Sequence, residues 1–127
     1  MGKLITSAQQ VRDANDTKYD LVPVPEWGDK DTMLRIRSMS ANEIKKFTSL
    51  KGENQKTAMA RALIMCAVDE TGEEIFTTDD VGWMMDKNVA VLHRVQDAIL
   101  ILNGMKDKPK DPDDEEEDDE VTKAGKD

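Results

Sequence analysis

Apolar residues recur along this chain first at spacings of three, then of two, then of three and four. In "TSAQQVRDAN", Ala8, Val11 and Ala14 lie three apart. Thr6 or Ser7 can cap this stretch, with Gln9 or Gln10 three residues on, so a short first helix is expected. From Tyr19 the rhythm changes to two. Tyr19, Leu21, Pro23, Pro25 and Trp27 fall on one face of an extended chain, and Val22 and Val24 on the other. Proline withholds a ladder donor, which predicts an edge strand. Gly28 to Asp31 reads as a turn, and Leu34 and Ile36 alternating with Arg35 and Arg37 read as a half-buried return strand. A lone hairpin is marginal in water, so helices must cover its apolar side.

The helical rhythm then takes over. Ser40-Ala41-Asn42-Glu43 has the form of a capping box, with Met39 placed to staple onto Ile44. Ile44, Phe47 and Leu50 form the apolar stripe of this second helix, and Gly52 is expected to end it. A third helix is expected from "ENQKTAMARALIMCAVDETG". It is polar at first, then interrupted only by Arg61 between Ala58 and Val68, as suits a helix buried on nearly every side. Gly72 supplies a turn, and Ile75-Phe76 a short extended return to the core. Thr77 to Asp80 caps a short helix carrying Val81, Trp83, Met84 and Met85. Asp86 or Asn88 starts a last helix in which Val91, Leu92, Val95, Ile99 and Leu102 recur at three and four, stopped by Asn103-Gly104. The expected fold is α+β and mainly helical, with four to five helices and one small N-terminal β-hairpin. Its expected core comprises Leu34, Ile36, Ile44, Phe47, Leu63, Val68, Phe76, Leu92, Val95, Ile99 and Leu102.

Past Met105 the pattern stops. Residues 106–127 hold one large aliphatic side chain, Val121, and an unbroken carboxylate run from Asp113 to Glu120. Such a segment buries too little apolar surface to offset the entropy of ordering it. The division expected is therefore a single helical domain with its hairpin over 1–105, then a disordered acidic tail over 106–127. Charge follows the same division. Five lysines and eleven acidic residues put −6 on the tail, which leaves −3 of the chain's −9 on the body. The pairs Arg35/Arg37 and Lys45/Lys46 are too small a basic patch for a phosphate backbone or an anionic membrane, so neither nucleic acid nor membrane is an expected partner. With one cysteine, no intrachain disulfide, no signal-peptide pattern and no apolar run near 20 residues, a soluble cytoplasmic protein is expected.

Candidate chemistry is sparse. His93 is the only histidine, with no neighbour at zinc-ligand spacing. "VDETGEEIFTTDD" has acids enough for a calcium loop, but counting from Asp69 the glycine falls at position four instead of six. Cys66 lies inside an apolar run, where a small buried thiol is the simple reading. No glycine-rich phosphate loop occurs. No catalytic, cofactor-binding or metal residue is assigned, no cofactor is expected, and the chain is not expected to be an enzyme. Binding is the remaining class. Methionine and aromatic side chains suit adaptable contact surfaces, which singles out Trp83, Met84 and Met85 on the short helix; the hairpin edge, with Val22, Val24 and Trp27, is the other expected contact surface.

The ordered set of these features resembles a known family. A strand running into Pro25-Glu26-Trp27-Gly28 is followed by "LRIR", then Met39-Ser40 and a capped helix. Val68-Asp69-Glu70-x-Gly72, Phe76, Asp79-Asp80 and a final helix ending Leu102-Asn103-Gly104 complete the set. Across residues 19–105 this is similar to the tail assembly chaperones of long-tailed bacteriophages, in their short form. The resemblance implies a chaperone that binds and solubilises the tape measure protein and helps recruit tail tube subunits during tail morphogenesis. It also implies self-association, a place in the host cell cytoplasm, and absence from the mature virion. The major tail tube protein would be met mainly through a longer form made by programmed frameshifting. Gly125-Lys126 matches the Gly-Lys reading of a common slippery heptamer and is the candidate frameshift site. Two other functions fit less of the pattern: a structural head–tail connector or tail completion protein, and an acidic regulatory interaction module.

Overall fold

The computed structural model describes residues 2–108. Most of the acidic tail, and with it the candidate frameshift site Gly125-Lys126, lies outside the described residues. The architecture is α+β and mainly helical. Strands β1 (Tyr19–Pro23), β2 (Met33–Arg37) and β3 (Ala67–Val68) form an antiparallel sheet in that order. Helices α1 (Ala8–Asp13), α2 (Ala41–Thr48), α3 (Glu53–Lys56), α4 (Ala58–Cys66), α5 (Val81–Met84) and α6 (Val89–Leu102) complete it.

Register explains the layer structure. Val22 stands opposite Leu34, and Asp20 opposite Ile36, so alternation sends Val22, Leu34 and Ile36 to one face. Helices α4 and α6, packed against each other, cover that face and bury all three side chains. Val91, Leu92, Val95 and Ile99 of α6 and Leu63 of α4 fill the space between. Helix α6 starts where Asn88 accepts hydrogen bonds from the N–H groups of Ala90 and Val91. At its far end Asn103 accepts from the Met39 N–H at 2.7 Å and donates to the Ile99 carbonyl at 2.8 Å. The residue expected only to stop the helix thus also fastens it to the entry of α2.

Three expectations are corrected. Ala67 and Val68 are not the end of a long helix. They pair with Ile36 and Arg35 and make the hairpin a three-stranded sheet, with Val68 bridging on to Glu74. A strand edge with unpaired backbone groups outcompetes one more helical turn when both are fully buried. The polar start of the expected third helix is a separate element, α3, divided from α4 at Thr57. Helix α2 closes at Thr48, and Gly52, at φ +59°, instead opens α3. The capping box of α2 forms as expected: Glu43 N–H donates to Ser40 Oγ, and Ser40 N–H to Glu43 Oε1. Most of the expected core is buried, while Ile44, Phe47, Phe76 and Leu102 only pack against its side.

Candidate partner-binding cleft

The short 3₁₀ turn Pro25–Trp27 follows β1 and carries Trp27 to the rim of the domain. Gly28 keeps this turn tight, because a Cβ there would overlap Thr32 Oγ1, which accepts the Asp29 N–H at 2.8 Å. The turn is also held from outside. Arg94 of α6 donates two parallel hydrogen bonds to the Glu26 carboxylate, both 2.8 Å, and a third to the Pro23 carbonyl at 3.0 Å. The guanidinium, helped by the backbone N–H of Glu26, lowers that carboxyl to about 2.

Across from Trp27 stands α5. Its entry is a second capping box, in which Asp80 Oδ2 accepts the Thr77 N–H at 2.8 Å. The other oxygen, Oδ1, accepts from Trp83 Nε1 at 2.8 Å. These bonds, the Thr77 one first, hold the Asp80 carboxyl below its usual range. They also fix the indole, which meets the Phe76 ring edge-on at 5.9 Å. Trp27, Phe76, Trp83 and Met84, with Glu26 and Lys87 at the edge, line an open cleft of about 560 Å³. Lys87 Nζ lies 6.0 Å from the Trp83 ring centre.

The sequence-selected residues divide here. Trp27, Trp83 and Met84 come together in one cleft although 56 residues separate Trp27 from Trp83. Met84 is buried and forms the floor; Trp83 is 46% exposed. Met85 is exposed but does not line the cleft. Val22 and Val24 are corrected outright: both are buried beneath the sheet and offer no contact surface. The edge of β1 is only partly open to a partner strand. Lys18–Ser38 and Val24–Thr32 carry ladder bonds, so the outward backbone groups belong to residues 19, 21 and 23. Leu21 N–H is taken by Asp20 Oδ1, Pro23 has no N–H, and its carbonyl is held by Arg94. Phe76, expected in the core, lines the cleft instead, together with Glu26 and Lys87, which carry no expected contact role. An aromatic isolated between "EEI" and "TTDD" is the sequence signal for it: Phe76 packs against the side of the core and keeps one face for the cleft.

A second groove, of about 450 Å³, lies on the far side of Phe76. Its apolar wall is Phe47, Leu50, Ile64 and Met65, and its rim includes Lys46 and Arg61. Arg37 guards one end with paired bonds of 2.9 and 2.8 Å to Glu43 and a longer contact of 3.7 Å to Glu74.

Reactive groups lie elsewhere. Burial pushes the Cys66 thiol up to about 11, so it stays protonated. His93 is exposed on α6. Among the described residues no group of three or more His, Cys, Asp or Glu could hold a metal ion, and no helix is long and apolar enough to cross a membrane.

No family model matches the chain, and no curated protein matches its sequence. Among solved structures, the tail assembly chaperone of bacteriophage HK97 is similar in fold, with a TM-score of 0.53 at 14% identity. The match covers 80% of this chain and 95% of that one. The two share an architecture, arrived at through largely different residues.

Proposed function

We propose that this protein is a phage tail assembly chaperone that holds an apolar helical segment of the tape measure protein in the Trp27–Phe76–Trp83–Met84 cleft. The observation that carries the reading is the union of that fold with a preformed, solvent-open aromatic cleft. An unsheathed tape measure protein presents long apolar helical faces, and helix-in-groove binding takes such faces through anchors three and four residues apart. An anchor side chain moved from water into the cleft contributes about 1.5–3 kcal/mol. The fixed indole of Trp83 loses little freedom on contact, and Met84 adapts to anchors of different shape. One cleft of this size covers a short stretch, so many copies act along one tape measure chain. Tail tube subunits are recruited mainly by a longer form, extended at Gly125-Lys126, and the work is done in the host cytoplasm.

Coexpression tests the reading. A tape measure protein made alone should partition into the insoluble fraction, and with this chain it should become soluble and co-purify. Trp83→Ala, which removes an exposed side chain and leaves the core intact, should return it to the pellet. Unchanged solubility with the wild-type chain would remove the chaperone role; full activity of Trp83→Ala would remove the cleft from it. Mass spectrometry of purified virions should lack the protein, whereas its presence there would mark a structural component. The frameshift is tested by the coding DNA, which must carry a slippery heptamer at codons 125–126.

A further inference from the structure

The groove walled by Phe47, Leu50, Ile64 and Met65 sets apolar side chains beside cations that have no acidic partner. Lys46 and Arg61 stand on its rim, and Lys51 follows the lining residue Leu50. None of the three forms an ion pair among the described residues. Arg61 is nonetheless held in place, because its Nε donates to Thr57 Oγ1 at 2.8 Å. The carboxylates of the groove, Glu43 and Glu74, both turn to Arg37 at one end. The rest of the rim is left positive.

We infer that the acidic run, residues 113–120, docks along this rim in its own chain, with Val121 against the apolar wall. Three observations choose this occupant. The first is charge. An unbroken carboxylate run meets three cations without partners, and the fork of Arg61 suits paired carboxylate oxygens. The second is the apolar match: Val121, the one large aliphatic side chain of residues 109–127, directly follows the run. The third is reach. Just past the end of α6, Asn103 bonds the Met39 N–H at 2.7 Å, and α2, which starts there, carries Lys46 and Phe47 to the groove. From Met39 to Lys46 the helix advances roughly 10 Å. The chain from Asn103 to Asp113 can span roughly 33 Å, so the run arrives with slack.

Tethering is what makes the contact count. Exposed ion pairs are individually weak, and this patch is too small to hold a free polyanion. A short connection within one chain instead supplies an effective concentration in the millimolar range. Docked there, the run shields the apolar wall, and salt opens it. The aromatic cleft across Phe76 stays free. The inference goes beyond the tape measure reading and does not depend on it, since site and occupant belong to the same chain.

A nitroxide attached to the full chain at Thr122→Cys tests it by NMR, with the buried Cys66 left unlabelled. At about 0.01 M salt the label should broaden the backbone amide signals of Lys46, Phe47, Leu50 and Arg61. At about 1 M, where the screening length falls from roughly 30 Å to roughly 3 Å, that broadening should be lost. Replacing every carboxylate of residues 113–120 by its amide should abolish it at low salt. So should Lys46→Glu/Lys51→Glu, which changes only exposed side chains. When nitroxide-bearing chains are mixed with nitrogen-15 chains that carry no label, the signals should stay sharp. Sharp signals in the labelled wild type at low salt would overturn the inference. Broadening that survives in either variant would do the same, as would broadening in the mixture, which would place the contact between chains.

Discussion

Replacing Glu43 by glutamine isolates one charge at a junction of three elements. Glu43 caps α2 through the Ser40 N–H and takes both arms of Arg37 at the end of β2, beside the groove rim. Glutamine keeps an acceptor for Ser40, so the capping box survives and the ion pair is lost. Arg37, followed by burial and the Ser40 N–H as smaller and partly opposing influences, lowers the Glu43 carboxyl from 4.5 to about 2. That drop sets an upper bound of about 3.4 kcal/mol. With the Glu43 side chain still 30% exposed, solvent screening leaves about 1–2 kcal/mol. The sign is that of a depressed carboxyl: the stabilisation is complete above the unfolded value near 4.5 and is lost as pH falls toward about 2. Roughly 40% of it remains at pH 3. Urea unfolding of wild type and Glu43→Gln should therefore differ by about 1–2 kcal/mol at pH 7 and by less than half as much at pH 3. Other carboxylates titrate in both proteins and cancel in the difference. A deficit of the same size at both pH values would refute the ion-pair account and leave only a packing defect.

Three further outcomes follow from the geometry. Ile99→Ala empties a fully buried position between α4, α6 and the sheet, and should lower unfolding free energy by about 2–5 kcal/mol in urea. Arg94→Ala removes the clamp on Glu26, so the Glu26 carboxyl, held at about 2, should titrate close to 4.5 when followed by carbon NMR; a titration still near 2 would show that the backbone alone sets it. Gly28→Ala drives a methyl against Thr32 Oγ1 and should cost about 1–3 kcal/mol. That cost should shrink in a Thr32→Ala background, a coupling that a double-mutant cycle reads directly.

The elements differ in how far they could be read from local pattern. Ser40 to Glu43, Thr77 to Asp80, Asn88 and Asn103-Gly104 were legible because a cap is completed within four residues. The alternation of Leu34 and Ile36 likewise shows directly which side of β2 is wet. Ala67-Val68 was not legible. A short apolar run suits a buried helix and a buried strand equally, and the free edge of β2, some 30 residues earlier, decides between them. Val22 and Val24 failed as surface residues for a related reason. An extended chain has two apolar-looking faces here, and only the helices packed on one of them choose which is core.

Local physics in the chain thus settled the helix boundaries at their caps, the hairpin, and the concentration of negative charge in residues 106–127. Interactions of three or four residues' range need no knowledge of the rest. The third strand, the fastening of α6 to α2 through Asn103 and the Arg94 hold on the Pro23 carbonyl at the end of β1 required the tertiary structure. So did the meeting of Trp27 with Phe76 and Trp83. Each joins residues distant in sequence, whose proximity exists only once α4 and α6 have closed over the sheet.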